Sequence, residues 1–133
     1  MYNRTVLRTI YCLNLTLMQK FLVLYLAPSS VLEEWSKTDP ATRKVTEEKM
    51  QGEWRTWVKE HEQMLHGSTA GVGKTRRVTS QGTEDTKNNI MLYSTVEAES
   101  PEAATALFAH HPHLQIPEAS IEIMPISPLS GMA

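Results

Sequence analysis

An α+β domain, with one antiparallel sheet and two helices on a single face, is what this sequence predicts. Three observations carry that expectation. Phe21-Leu22-Val23-Leu24-Tyr25-Leu26-Ala27 is the only long unbroken apolar run in the chain, and it has the length of a buried strand. Two later stretches, Ile90–Val96 and Ser120–Met124, also read as strands. The segments beginning Asp39-Pro40 and Ser100-Pro101 each open with a capping residue followed by proline, which is how helices start.

The first seventeen residues, through Leu17, mix Arg4 and Arg8 with scattered apolar residues and have no clean period. A signal peptide fits poorly, because Lys20 interrupts the apolar region and Tyr25 is too large for its place before a cleavage at Ala27. An extra strand or arm is a second reading. The preferred one is a poorly ordered extension, or a misassigned start, with the domain running from 18 to 133. No stretch approaches the roughly 18–20 apolar residues of a membrane span.

In the first strand Phe21, Val23 and Tyr25 point one way and Leu22, Leu24 and Leu26 the other, so both faces are apolar. Pro28 ends it, since proline has no N–H to give a ladder. Ser30-Val31-Leu32-Glu33 has the spacing of a capping box and predicts a short helix to about Lys37. The main helix follows from Asp39. Met50, Trp54, Trp57, His61 and Met64 recur at intervals of four, three, four and three, tracing one face that Val58 and Leu65 widen. Gly67 is the expected stop.

Gly71-Val72-Gly73-Lys74-Thr75 imitates the end of a phosphate-binding loop. The glycine such a loop needs five places before Gly73 is Ser68, and a strand-like run, Arg76–Ser80, follows where a helix is required. The stretch is read as a glycine turn into a second strand, with Lys74, Arg76 and Arg77 on a solvated edge. A polar loop, Gly82–Asn88, leads to the strand at Ile90. The helix from Ser100 buries Ala103, Ala104, Leu107 and Phe108 and ends near His110-His111, ahead of Pro112.

The resulting order, βαββαβ, is that of a ferredoxin-like fold. Two helices cover one side of a sheet whose first and third strands are apolar on both sides. The open side therefore needs a cover, and the expected cover is the same face of a second copy, in a homodimer.

Three stretches resemble the YCII-related and DGPF-type proteins of the dimeric α/β-barrel group: Lys20–Leu24, the turn Gln81-Gly82-Thr83-Glu84-Asp85-Thr86-Lys87, and Ala119–Ile126. In the turn, Gly82, Thr86 and Lys87 match the DGPF pattern, whereas its aspartate, proline and phenylalanine are missing. The resemblance spans about Lys20 to Ile126 and implies a dimeric α/β barrel. For enzymes of that family it also implies a catalytic histidine–aspartate pair with the histidine early in the chain. No histidine precedes His61 here, so that pair has no counterpart.

The most unusual local stretch is His110-His111-Pro112-His113-Leu114. It reads either as an exposed polar loop capping the negative end of its helix, or as a site in which one histidine acts as a base near neutral pH. Two metal ligands are a third reading, but no further ligand is identified, and no metal or other cofactor is assigned. His111 and His113 would share a side if the backbone is extended. They are the candidate catalytic residues, with Asp39, first of all an N-cap, as the carboxylate partner. Tyr25, Trp54, Trp57, His61 and Tyr93 are the candidate ligand-binding residues; each is equally explained by packing.

A net charge of −2 offers no basic surface for nucleic acid. The single cysteine, Cys12, cannot form an internal disulfide and suits a reducing cytoplasm. The leading expectation is a cytoplasmic homodimer binding a small organic molecule in a helix–sheet cleft, with cofactor-free acid–base chemistry if it catalyses. The alternative is a non-catalytic assembly module whose sheet-mediated dimer is the working part. Neither reading involves nucleic acid or membrane.

Overall fold

The computed structural model describes residues 18–131, so the N-terminal extension lies outside the described residues. The apolar run forms β1 (Gln19–Leu26), and Pro28 ends it as expected. Helix α1 (Ser29–Ser36) begins directly after Pro28. The capping box does not form: Ser30 lies inside the helix, and no side chain caps the N-terminus. The backbone carbonyl of Pro28 instead accepts from the N–H of Val31 at 3.1 Å, which closes the first turn without a side chain.

Helix α2 (Pro40–His61) starts where Asp39-Pro40 predicts. An Asp39 Oδ2 accepts the Thr42 N–H at 3.1 Å, satisfying one of the free donors of the first turn. The helix ends at His61, several residues before Gly67. The chain from Met64 to His66 then runs beside the sheet, with the His66 N–H donating to Thr95 O at 2.9 Å. Gly67, at φ +87°, turns the chain after this contact rather than ending the helix.

The second strand of the main sheet is not the expected one. A two-residue segment, β2 (Ala70–Gly71), takes the edge position. Arg76–Thr79 (β3) pairs instead with Gly82–Asp85 (β4), a stretch expected to be loop, in a separate two-stranded hairpin. Every residue of β3 and β4 is exposed. Arg76–Asp85 and Arg77–Glu84 pair across it at 3.0 and 3.1 Å. Val78, their one apolar side chain, is itself exposed, and the edge of the main sheet is taken by Ala70–Gly71.

β5 (Ile90–Ala98), α3 (Pro101–Ala106) and β6 (Ser120–Pro125) complete the chain. Ser100 Oγ accepts the Ala103 N–H at 3.1 Å and caps α3. The sheet order is β2-β5-β1-β6, and each neighbouring pair is antiparallel. This is an α+β fold compatible with a ferredoxin-like arrangement.

Alternation in β1 divides the sheet. Phe21, Val23 and Tyr25 are fully buried against Trp57 of α2, Ala104 of α3 and Phe108 just after it. Burying side chains of this size is worth about 1.5–3 kcal/mol each, which makes this face the main source of stability. Leu22, Leu24 and Leu26 face the other way and remain half-buried. Register places Leu22 between Thr95 and Met124, and Leu24 between Tyr93 and Glu122. No helix among the described residues is long and apolar enough to cross a membrane.

Candidate functional site

The histidine segment is not an exposed loop. After α3 the chain makes a turn of 3₁₀ helix, Pro112–Gln115, which drives the rings of His111 and His113 inward. His111 is 1% exposed and His113 is fully buried. Pro112 sets the start of the turn, and the His111 imidazole caps it: Nδ1 accepts the His113 N–H at 3.0 Å. On the other side, the His113 ring donates from Nε2 to the Leu26 carbonyl at 2.9 Å, tying the turn to the end of β1. The backbone is not extended here, yet both rings enter the same cleft.

Aromatic rings surround them. His111 lies 4.3 Å from Trp54 and 4.4 Å from Trp57, both roughly edge to face, and 5.3 Å from Tyr25. His113 stands 5.5 Å from Tyr25. His61 stacks on Trp57 at 4.5 Å and donates from Nδ1 to the Trp57 carbonyl at 2.8 Å. The Tyr25 hydroxyl pairs with Ser94 Oγ at 3.0 Å beneath the cluster.

These hydrogen bonds fix the tautomers, and burial fixes the charge. His111 Nδ1 accepts and therefore carries no proton, so the neutral ring holds its hydrogen on Nε2. His113 donates from Nε2, and in the neutral ring that burial favours Nδ1 is a lone pair. Burial pushes His111 down to about 3, helped by the nearby imidazoles of His113 and His61. Burial also lowers His113, while backbone groups of Leu26 and Ser120 oppose it. Tyr25 is raised by burial, against the Ser94 hydrogen bond.

Two buried side-chain atoms among the described residues have no hydrogen-bond partner: His111 Nε2 and His113 Nδ1. One is a donor and the other an acceptor. Each unsatisfied group of this kind costs about 1–3 kcal/mol, so the pair calls for a reason.

Of the residues singled out in the sequence, Tyr25, Trp54, Trp57, His61, His111 and His113 come together in this cluster. Two do not. Asp39 is exposed and occupied by the N-terminus of α2. Tyr93 sits opposite Leu24 on the other face of the sheet, so Tyr25 and Tyr93 cannot meet one ligand within the chain. No group of three or more histidine, cysteine or acidic residues among the described residues could hold a metal ion.

Outside the cluster is an open depression of about 290 Å³, lined by Glu53, Thr56, Trp57 and Glu60 of α2 and by His110, Pro112 and Gln115. Glu53 accepts a hydrogen bond from Gln115, which joins the helix to the turn. Sequence reasoning passed over Glu53, Thr56 and Glu60. Their spacing around Trp57 was the available signal, since positions three, four and seven apart share a helix face.

No known protein family matches the chain, and neither does any curated protein.

Proposed function

We propose that this chain is a small-molecule-binding domain of ferredoxin-like, YCII-related type, working as a homodimer in a reducing cytoplasm. The observation that carries the binding reading is the complementary pair of unpartnered nitrogens, His111 Nε2–H and His113 Nδ1. A hydroxyl or a neutral amide-like group can accept from the first and donate to the second, whereas a carboxylate satisfies only the donor. Trp54, Trp57 and Tyr25 supply the apolar walls. The depression beside Trp57 and Pro112, about 290 Å³ and close to the lower end of ligand-site volumes, is lined by neither His111 nor His113, so contact with their nitrogens requires the turn to move.

Binding is favoured over acid–base catalysis by His111. A ring held near 3 is a feeble base, and its Nδ1 is already engaged. If a proton moves, His113 Nδ1 is the lone pair that takes it. Thermal-shift measurements with phenols, lactones and aromatic acids test the reading. Neutral hydroxyl compounds present well above their dissociation constants should raise the melting temperature, and the rise should vanish in His113→Ala. No stabilisation by any neutral compound would remove the binding reading.

The open sheet face favours the second reading, an assembly module. Leu22, Leu24 and Leu26 lie there beside Tyr93 (42% exposed) and Met124 (37% exposed), an apolar strip with a polar margin. A sedimentation mass of twice 15.0 kDa supports pairing, and a mass of one chain at micromolar concentration contradicts it.

A further inference from the structure

We infer that the 111–116 turn is a proton-released latch: protonation of His111 and His113 frees it from the helix–sheet cleft while the sheet stays folded. The geometry carries this. A second proton on His111 has to land on Nδ1, where the His113 N–H already points, and two donors then face each other across 3.0 Å. A second proton on His113 has to land on Nδ1, which is buried and has no hydrogen-bond partner, a cost that the backbone of Ser120 offsets only in part. Either event attacks a bond or an atom that seats the turn.

The groups facing the rings offer no compensating anion. Tyr25 faces them from β1 and His61 from α2, and neither is a carboxylate. Trp54 and Trp57 complete the α2 side, and Phe108 faces His111 from the end of α3. Ser94 of β5 is reached through Tyr25, and the Ser120 backbone stands at the start of β6. Glu53 and Glu60 lie on the outer side, with His110, Pro112 and Gln115, where Glu53 is held by Gln115 and Lys49.

Both ends of the segment are anchored independently of the histidines. Phe108 is in the core, and β6 is paired along β1. Release can therefore stop at the turn. Its own bonds are few: Leu114 N–H to His111 O at 3.0 Å, Ile116 N–H to His113 O at 3.2 Å, and the side-chain links already described. The inference does not depend on a ligand and is tested on the protein alone.

Hydrogen exchange resolved by residue is the experiment, with rates corrected for the intrinsic pH dependence. Between pH 6.5 and 4.5 the protection of Leu114 and Ile116 should fall by about tenfold per pH unit for each histidine that titrates. The amides of Phe21–Leu26, which open only with the whole domain, should stay better protected than those of the turn at every pH. In His111→Asn/His113→Gln, which replaces each ring with a non-titrating side chain able to make the same bond, the fall should be absent. Protection of Leu114 and Ile116 that is unchanged in the wild-type protein overturns the latch. So does protection equal to that of β1 at every pH, which means that the turn opens only by global unfolding, or an equal loss in the double variant. The wild-type comparison decides the matter even if the double variant does not fold.

Discussion

The His113 backbone N–H donates to His111 Nδ1 at 3.0 Å, so the residue that shapes the turn is also barred from carrying charge. That relationship couples the local fold of the 3₁₀ turn to the protonation of a buried ring, and the pH dependence of the protein follows from it.

The sign is fixed by the direction of the shift. His111 sits at about 3 in the folded protein against 6.5 when unfolded, and His113 is also lowered. The unfolded chain therefore binds more protons below pH 6.5. Their stabilising contribution is complete above 6.5 and is lost as the pH falls below it, for His111 down to about 3. Each histidine should cost up to about 1.4 kcal/mol per pH unit in that window. Denaturant unfolding at pH 7.5, 6 and 5 should show the decline, and His111→Asn should make it shallower. A stability that rises on acidification contradicts the assignment of neutral rings.

Tyr25→Phe should destabilise the domain by about 1–3 kcal/mol, because it strands the buried hydroxyl of Ser94. Adding Ser94→Ala should recover part of that loss. Equilibrium unfolding of the two single variants and the double variant measures the coupling; simple additivity would show that the 3.0 Å contact contributes nothing.

Asp39→Ala should cost about 1 kcal/mol, the usual effect of removing an N-cap, and Asp39→Asn much less. Both variants should keep whatever ligand binding the wild-type protein shows. Binding lost in Asp39→Asn, with stability intact, would restore Asp39 as a functional carboxylate.

Leu24→Lys places a charge at the centre of the open sheet face, between Tyr93 and Glu122. It should convert a dimer into a monomer while leaving the fold intact, since Leu24 points away from the helices. Light scattering and far-ultraviolet circular dichroism check both halves. A variant that stays dimeric moves the interface elsewhere.

Much of this fold was legible because its signals are local. Alternation in Phe21–Leu26 marks a strand, and Asp39-Pro40 and Ser100-Pro101 mark helix starts through side chains that act within three residues. Ala70–Gly71 has no strand signal of its own. It is a strand only because Tyr93 and Leu92 are opposite it. The S-x-x-E pattern at Ser30 misled for the converse reason: Pro28 had already turned the chain, two residues before the box could form. The candidate site divides in the same way. The spacing of Trp54, Trp57 and His61 on one helix face was visible, but the inward turn of His111 and His113 depends on the carbonyl of Leu26, 87 residues away. Three histidines within four residues read as polar until that contact is known.

Nitrogen chemical shifts of the histidine rings test the central claim most directly, measured at pH 7 with and without a stabilising hydroxyl compound. The account predicts that His111 and His113 are both neutral, with the proton on Nε2 in each. The compound should perturb His111 Nε2 and His113 Nδ1 more than any nitrogen of His61, His66 or His110. A charged imidazole at either position, or a bound compound that leaves both nitrogens unmoved, would contradict it.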